Sequence, residues 1–123
     1  MNVKVIPTEH QEQAALFEWA AWMEKKIPEL HLMHAIPNGG KRDIRTAARL
    51  KDEGVKPGVP DICLPVPRGG KHGLYIELKR RKGGRVTSDQ IQWQDDLIHQ
   101  GYKCCVCRGC DEAKNEILAY MAL

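Results

Sequence analysis

The segment Leu74-Tyr75-Ile76-Glu77-Leu78-Lys79 sets Leu74, Ile76 and Leu78 on one side and Tyr75, Glu77 and Lys79 on the other. A period of two is that of a β-strand with one face turned to a core. Such a strand needs neighbours for its backbone hydrogen bonds and a cover for its apolar face. The surrounding sequence supplies both. Thr8 with Gln11, and Thr87 with Gln90, each have the spacing of a capping box. The first predicts a helix to about Lys26, with Pro28 beyond it, and the second a helix to about Gln100, with Gly101 as its stop. In the first helix Glu9, Gln13, Leu16, Ala20, Met23 and Ile27 share one stripe expected to face the core, with Glu9 and Gln13 as polar exceptions.

Further strands are predicted at residues 31–36, 61–66 and 102–107, with Pro65 marking an edge or a strand end. Asp43 begins a basic helix stopped by Gly54, residues 37–40 read as a turn, and Asp111 is expected to cap a last helix. The order α-β-α-β-β-α-β-α predicts an α/β fold, a small mixed sheet flanked by helices. The chain of 123 residues has no repeat or long linker, so residues 1–123 are read as a single domain.

Composition narrows the class. A hydrophobic fraction of 42% excludes wholesale disorder. No apolar run approaches the length of a membrane span, and residues 1–6 lack a signal pattern, so a soluble, cytoplasmic protein is expected. The five cysteines, Cys63, Cys104, Cys105, Cys107 and Cys110, are odd in number and do not suggest a disulfide framework. Cys107 and Cys110, with Cys104 and His99 nearby, could form a zinc site, while residues 104–107 also read as a buried strand. The net charge of +3 is mild, but basic residues cluster. One run is Lys79-Arg80-Arg81-Lys82 with Arg85, and another holds Lys41, Arg42, Arg45, Arg49 and Lys51. Each alone is compatible with a solvated face.

The chemistry concentrates in Gly58-Val59-Pro60-Asp61 and Glu77-Leu78-Lys79. Glu77 and Lys79, two apart on a strand, share a face. If Asp61 lies on the neighbouring strand of a hairpin, its carboxylate can converge with that of Glu77 on one ion, and hard oxygen ligands of this kind suit Mg2+ or Mn2+. Register decides whether they meet. A two-residue turn at Gly69-Gly70 would set Asp61 opposite Leu78, on the wrong face. An odd loop or a bulge is therefore expected, setting Asp61 opposite Lys79 and diagonal to Glu77. Separately, Pro-Asp is an ordinary turn pair and Glu-x-Lys an ordinary solvent-facing pair, so the combination carries the reading.

That combination resembles the PD-(D/E)XK nucleases and, within them, the VRR-NUC domains. The matching residues are Glu9 with Gln13, Gly58-Val59-Pro60-Asp61, Glu77-Leu78-Lys79, Gln90 with Trp93, and Gly101. The resemblance implies a restriction-endonuclease-like core and an Mg2+- or Mn2+-dependent endodeoxyribonuclease. Asp61, Glu77 and the Leu78 backbone carbonyl would be metal ligands, and Lys79 the catalytic lysine. Gln90 would support Lys79 or the phosphate, and Glu9 would be a metal or water-shell carboxylate. Glu9 is preferred because Glu12 is displaced from the apolar stripe by about 60° and Glu18 falls on the opposite side.

Stand-alone members resemble phage or bacterial proteins acting on branched DNA as dimers. The resemblance thus implies a homodimer cutting Holliday-junction-like DNA in replication, repair or recombination, in the cytoplasm of a bacterium or infected host. Lys41, Arg42, Arg45, Arg80, Arg81, Lys82 and Arg85 would bind the phosphate backbone, with weak sequence preference. The alternative is an inactive nucleic-acid-binding module with the same fold. Trp93 is read as core more readily than as a stacking platform.

Overall fold

Both capping boxes form as the spacing predicts. The Gln11 N–H donates to Thr8 Oγ1 at 3.1 Å and the Thr8 N–H to Gln11 Oε1 at 2.9 Å; Thr87 and Gln90 repeat the exchange at 3.2 and 2.9 Å. The structure is a computed structural model, and it describes residues 5–37 and 43–123. The helices that follow the boxes are α1 (Glu9–Met23) and α3 (Ser88–His99). Between them lie a 3-10 helix (Pro28–Leu32), β1 (His34–Ala35), α2 (Ile44–Asp52), β2 (Ile62–Leu64) and β3 (Leu74–Lys79). After α3 come β4 (Lys103–Arg108) and α4 (Cys110–Met121).

The element order is the expected one, with local corrections. The 3-10 turn occupies the start of the strand expected at 31–36, because Pro28 favours the first turn of a helix. Gly109, rather than Asp111, stands at the N-cap of α4. Of the turn expected at residues 37–40, residues 38–40 lie outside the described residues, as do Lys41 and Arg42.

The sheet runs β1-β2-β3-β4, antiparallel except for the parallel β3–β4 pair. The parallel pair is why α3 must cross over between them. Leu74, Ile76 and Leu78 are buried in one core with Leu16 and Ala20 of α1 and Ala113, Ile117 and Tyr120 of α4. The Tyr120 hydroxyl donates to the Val66 carbonyl at 2.6 Å, tying the C-terminal helix to the hairpin loop. The α1 stripe is buried through Leu16 and Ala20, but its N-terminal member is Glu12, not Glu9, which is exposed. Neither α2 nor α3 buries a residue fully, in contrast to α1 and α4.

Candidate active site

The position of Asp61 follows from the hairpin register. Arg68 and Lys71 bond each other across Gly69-Gly70, a two-residue turn with both glycines at positive φ. Three residues, Pro65, Val66 and Pro67, join that turn to β2, and two, His72 and Gly73, join it to β3. The extra residue on the proline arm displaces the register by one, as a bulge does. Proline lacks the N–H that a continuous ladder would need there. In the resulting ladder Ile62 faces Ile76 and Cys63 faces Tyr75.

The bulge was expected, but its direction is corrected. One step beyond Ile62, Asp61 comes opposite Glu77 itself, not opposite Lys79. Its side chain therefore leaves on the Glu77 and Lys79 side of the sheet. The Asp61 carboxylate accepts the Leu78 N–H at 2.8 Å. The loop before it is rigid. Pro60 is fully buried, and Gly58 (φ 88°) passes so close to the start of α3 that a Cβ there would stand 2.7 Å from the Asp89 carbonyl carbon.

Glu77 is 2% exposed and Lys79 7%. Burial, with a shared hydrogen bond to Asp61 and the Asp61 charge, pushes the Glu77 carboxyl up to about 9, while Lys79 pulls the other way. Its Oε1 is buried and has no hydrogen-bond partner among the described residues. An unsatisfied buried carboxylate oxygen is costly, and a cation would satisfy it. The Leu78 carbonyl faces the strand edge on which Asp61 lies. The Lys79 carbonyl accepts from Gly109 on the β4 side at 3.0 Å, so the N–H and C=O of Leu78 face the β2 side, where Asp61 lies. Two carboxylates and a backbone carbonyl thus fit a hard divalent ion. No group of three or more His, Cys, Asp or Glu side chains among the described residues is close enough to hold a metal, so Glu9 does not complete a three-carboxylate cluster.

Glu9 is nonetheless nearby. Its charge adds to the rise at Glu77, and a Cβ built on Gly84 would stand 3.7 Å from Lys79 Cδ and 3.8 Å from Glu9 Oε1. Glu12, passed over by the stripe reading, is 3% exposed and accepts from Arg81 Nε at 3.0 Å. It lies four residues before Leu16 and eight before Ala20, a spacing that marks it as inward-facing. Arg81 is therefore held in an ion pair on the protein rather than presented freely to a nucleic acid. Gln90 caps α3 with its carboxamide oxygen.

Arg45, Arg80, Lys82 and Arg85 are exposed. Trp93 is half-buried beside a cavity of about 400 Å³ shared with Ile36, Val55 and Val59. The zinc arrangement does not form, because Cys104 and Cys107 are three apart on β4 and point to opposite faces. All five cysteines are free thiols.

Residues 4–111 match the family model for the VRR-NUC domain. No curated protein matches the chain. A solved structure described as a VRR_NUC domain protein is 28% identical to it, with a TM-score of 0.79, over 96% of this chain and 91% of that one.

Proposed function

The chain belongs to the VRR-NUC family, a nuclease-type domain acting on nucleic acid, and we propose that it is a metal-dependent endonuclease hydrolysing phosphodiester bonds in structured DNA. The observation that carries this reading is the buried Glu77 carboxylate, with an unpartnered oxygen, set opposite Asp61 and beside Lys79. Asp61, Glu77 and the Leu78 carbonyl would hold Mg2+ or Mn2+, with Glu9 reaching it only through water. When bound, such an ion acidifies water and stabilises negative charge on phosphate.

The other roles belong to the chain itself. Lys79, sheltered from bulk water, directs its ammonium at the attacked phosphate and helps to orient the nucleophilic water. Gln90 keeps its carboxamide oxygen on the Thr87 N–H, which leaves its NH2 group to donate to phosphate. Arg45, Arg80, Lys82 and Arg85 hold the flanking backbone, so DNA shape rather than base sequence selects the substrate. Branched DNA resembling a Holliday junction suits this mode, with two active sites related by the symmetry of a homodimer. The apolar Trp19, Trp22 and Met23 on α1 offer a surface for the second copy, Trp22 being 71% exposed. Among the described residues no helix is long and apolar enough to cross a membrane, which is compatible with action in the cytoplasm.

The test is cleavage of labelled four-way, flapped and linear DNA with Mg2+ or Mn2+. Asp61→Ala and Lys79→Ala are each expected to slow cutting by roughly 100- to 1,000-fold while DNA binding persists. Binding without metal-dependent, Lys79-dependent cutting would favour the inactive binding module. Sedimentation of the isolated protein tests the dimer, with a monomer at all concentrations counting against it.

A further inference from the structure

Residues 80–84 leave the catalytic strand as an exposed segment ending in two glycines at positive φ, Gly83 and Gly84. Such a sequence has high conformational entropy to lose and little apolar surface with which to offset it. Its fixed course has one principal source. Arg108 Nη1 donates to the Arg80 carbonyl at 3.2 Å and to the Gly83 carbonyl at 2.5 Å, and Nη2 donates to the Gly84 carbonyl at 3.0 Å.

Arg108 reaches this place by register. On the parallel pair it is the partner of Lys79, so its side chain leaves on the face that carries Glu77 and Lys79. Its backbone is itself anchored, the N–H donating to Glu112 Oε1 at 2.9 Å. From the other side the Arg81–Glu12 ion pair ties the loop to α1. Held at both points, the loop brings Gly84 against the Lys79 side chain and the Glu9 carboxylate.

We infer that Arg108 is a positioning residue for the nuclease reaction: its guanidinium folds the 80–84 loop over Lys79 and so fixes the lysine in place. It acts through three backbone carbonyls and does not touch the substrate. Lysine cannot replace it, because one ammonium on a flexible stem does not reproduce a planar fork bonded to three acceptors. The role rests on the proposed nuclease reading, whereas the loop contact stands without it.

Two measurements on the full chain test it, with Arg108→Met and Arg108→Lys. Native-state trypsin reads the loop directly, since it cuts after Arg80, Arg81, Lys82 and Arg85. Both variants are expected to be nicked there roughly tenfold faster than wild type, because the loop loses the bonds that hold it closed. In steady-state cleavage of a four-way junction, kcat is expected to fall roughly 10- to 100-fold in both, with KM and the salt dependence of DNA binding near wild type. Arg108→Lys keeps the charge and stem, and carries the comparison if Arg108→Met folds poorly.

Unchanged nicking in Arg108→Lys would overturn the inference. So would a raised KM with kcat intact and a salt slope reduced by about one, the signature of a direct phosphate contact. Faster nicking in the variants of a wild-type protein that cuts no DNA would instead overturn the nuclease reading and leave the loop contact standing.

Discussion

Glu77 shows how a single carboxylate links stability to chemistry. Below its ordinary value of 4.5 it is protonated in both the folded and the unfolded chain. Between there and about 9 the folded chain keeps a proton that the unfolded chain has lost. Folding stability in the absence of divalent ions therefore falls as pH rises through that window, and levels off above it. Glu77→Gln removes the titration and the buried charge. It is expected to raise the melting temperature of the metal-free protein at about pH 9 by far more than at about pH 4, while cleavage is lost. Melting curves at the two pH values decide this, and equal shifts would mean that another group carries the cost.

Legibility in the sequence divides at this scale. The residue types at Asp61, Glu77 and Lys79, and the shared face of Glu77 and Lys79, were visible because residue type and strand parity are local properties. The inward turn of Glu12 was present in its spacing to Leu16 and Ala20, but its partner Arg81 comes from a distant element, and an acidic residue without a known partner does not read as buried. Arg108 gave no signal, since its role consists of bonds to carbonyls that only the folded loop brings together.

At the level of elements, the two helices with capping boxes begin where the sequence placed them, because the pattern is a contact between residues three apart. Thr87→Ala breaks one such box and is expected to cost about 1 kcal/mol in denaturant unfolding. The two-residue strand β1 is too short to show a period, so its neighbour Pro28 and the 3-10 turn could not be separated from it in advance. Gly58 has a sharper requirement. Its positive φ and the approach of Asp89 both exclude a side chain. Gly58→Ala is expected to destabilise the protein by at least about 1 kcal/mol and, by shifting the loop that ends at Asp61, to reduce cleavage under conditions where the variant remains folded. Full activity in a folded Gly58→Ala protein would show that this loop does not set the Asp61 position.

Over the whole molecule, one side of β3 lies in the common core and the other carries charge, so the site is a product of the same alternation that makes the sheet amphipathic. The exposed Arg45, Lys82 and Arg85 are expected to act as phosphate contacts. Replacing each by alanine should weaken binding to all DNA shapes alike and lower the salt slope by about one. Arg81, paired with Glu12, should instead show its effect in unfolding measurements. A change in slope for Arg81→Ala as large as that for Lys82→Ala would mean that the ion pair opens on DNA.

The sequence alone determined the element order, the two helix starts, the strand bearing Glu77 and Lys79, and the family resemblance, because each rests on residues near one another in the chain. It also required an odd loop or a bulge, since parity demands one if Asp61 and Glu77 are to share a face. Tertiary structure decided the direction of that bulge and thus the pairing of Asp61 with Glu77, through the unequal arms around Gly69-Gly70. It also decided that Glu12 rather than Glu9 is buried, and that Arg108 closes the loop over Lys79. The physical reason is the same in each case: register, burial and long-range hydrogen bonds are set by which surfaces meet, and a local pattern specifies only the surface.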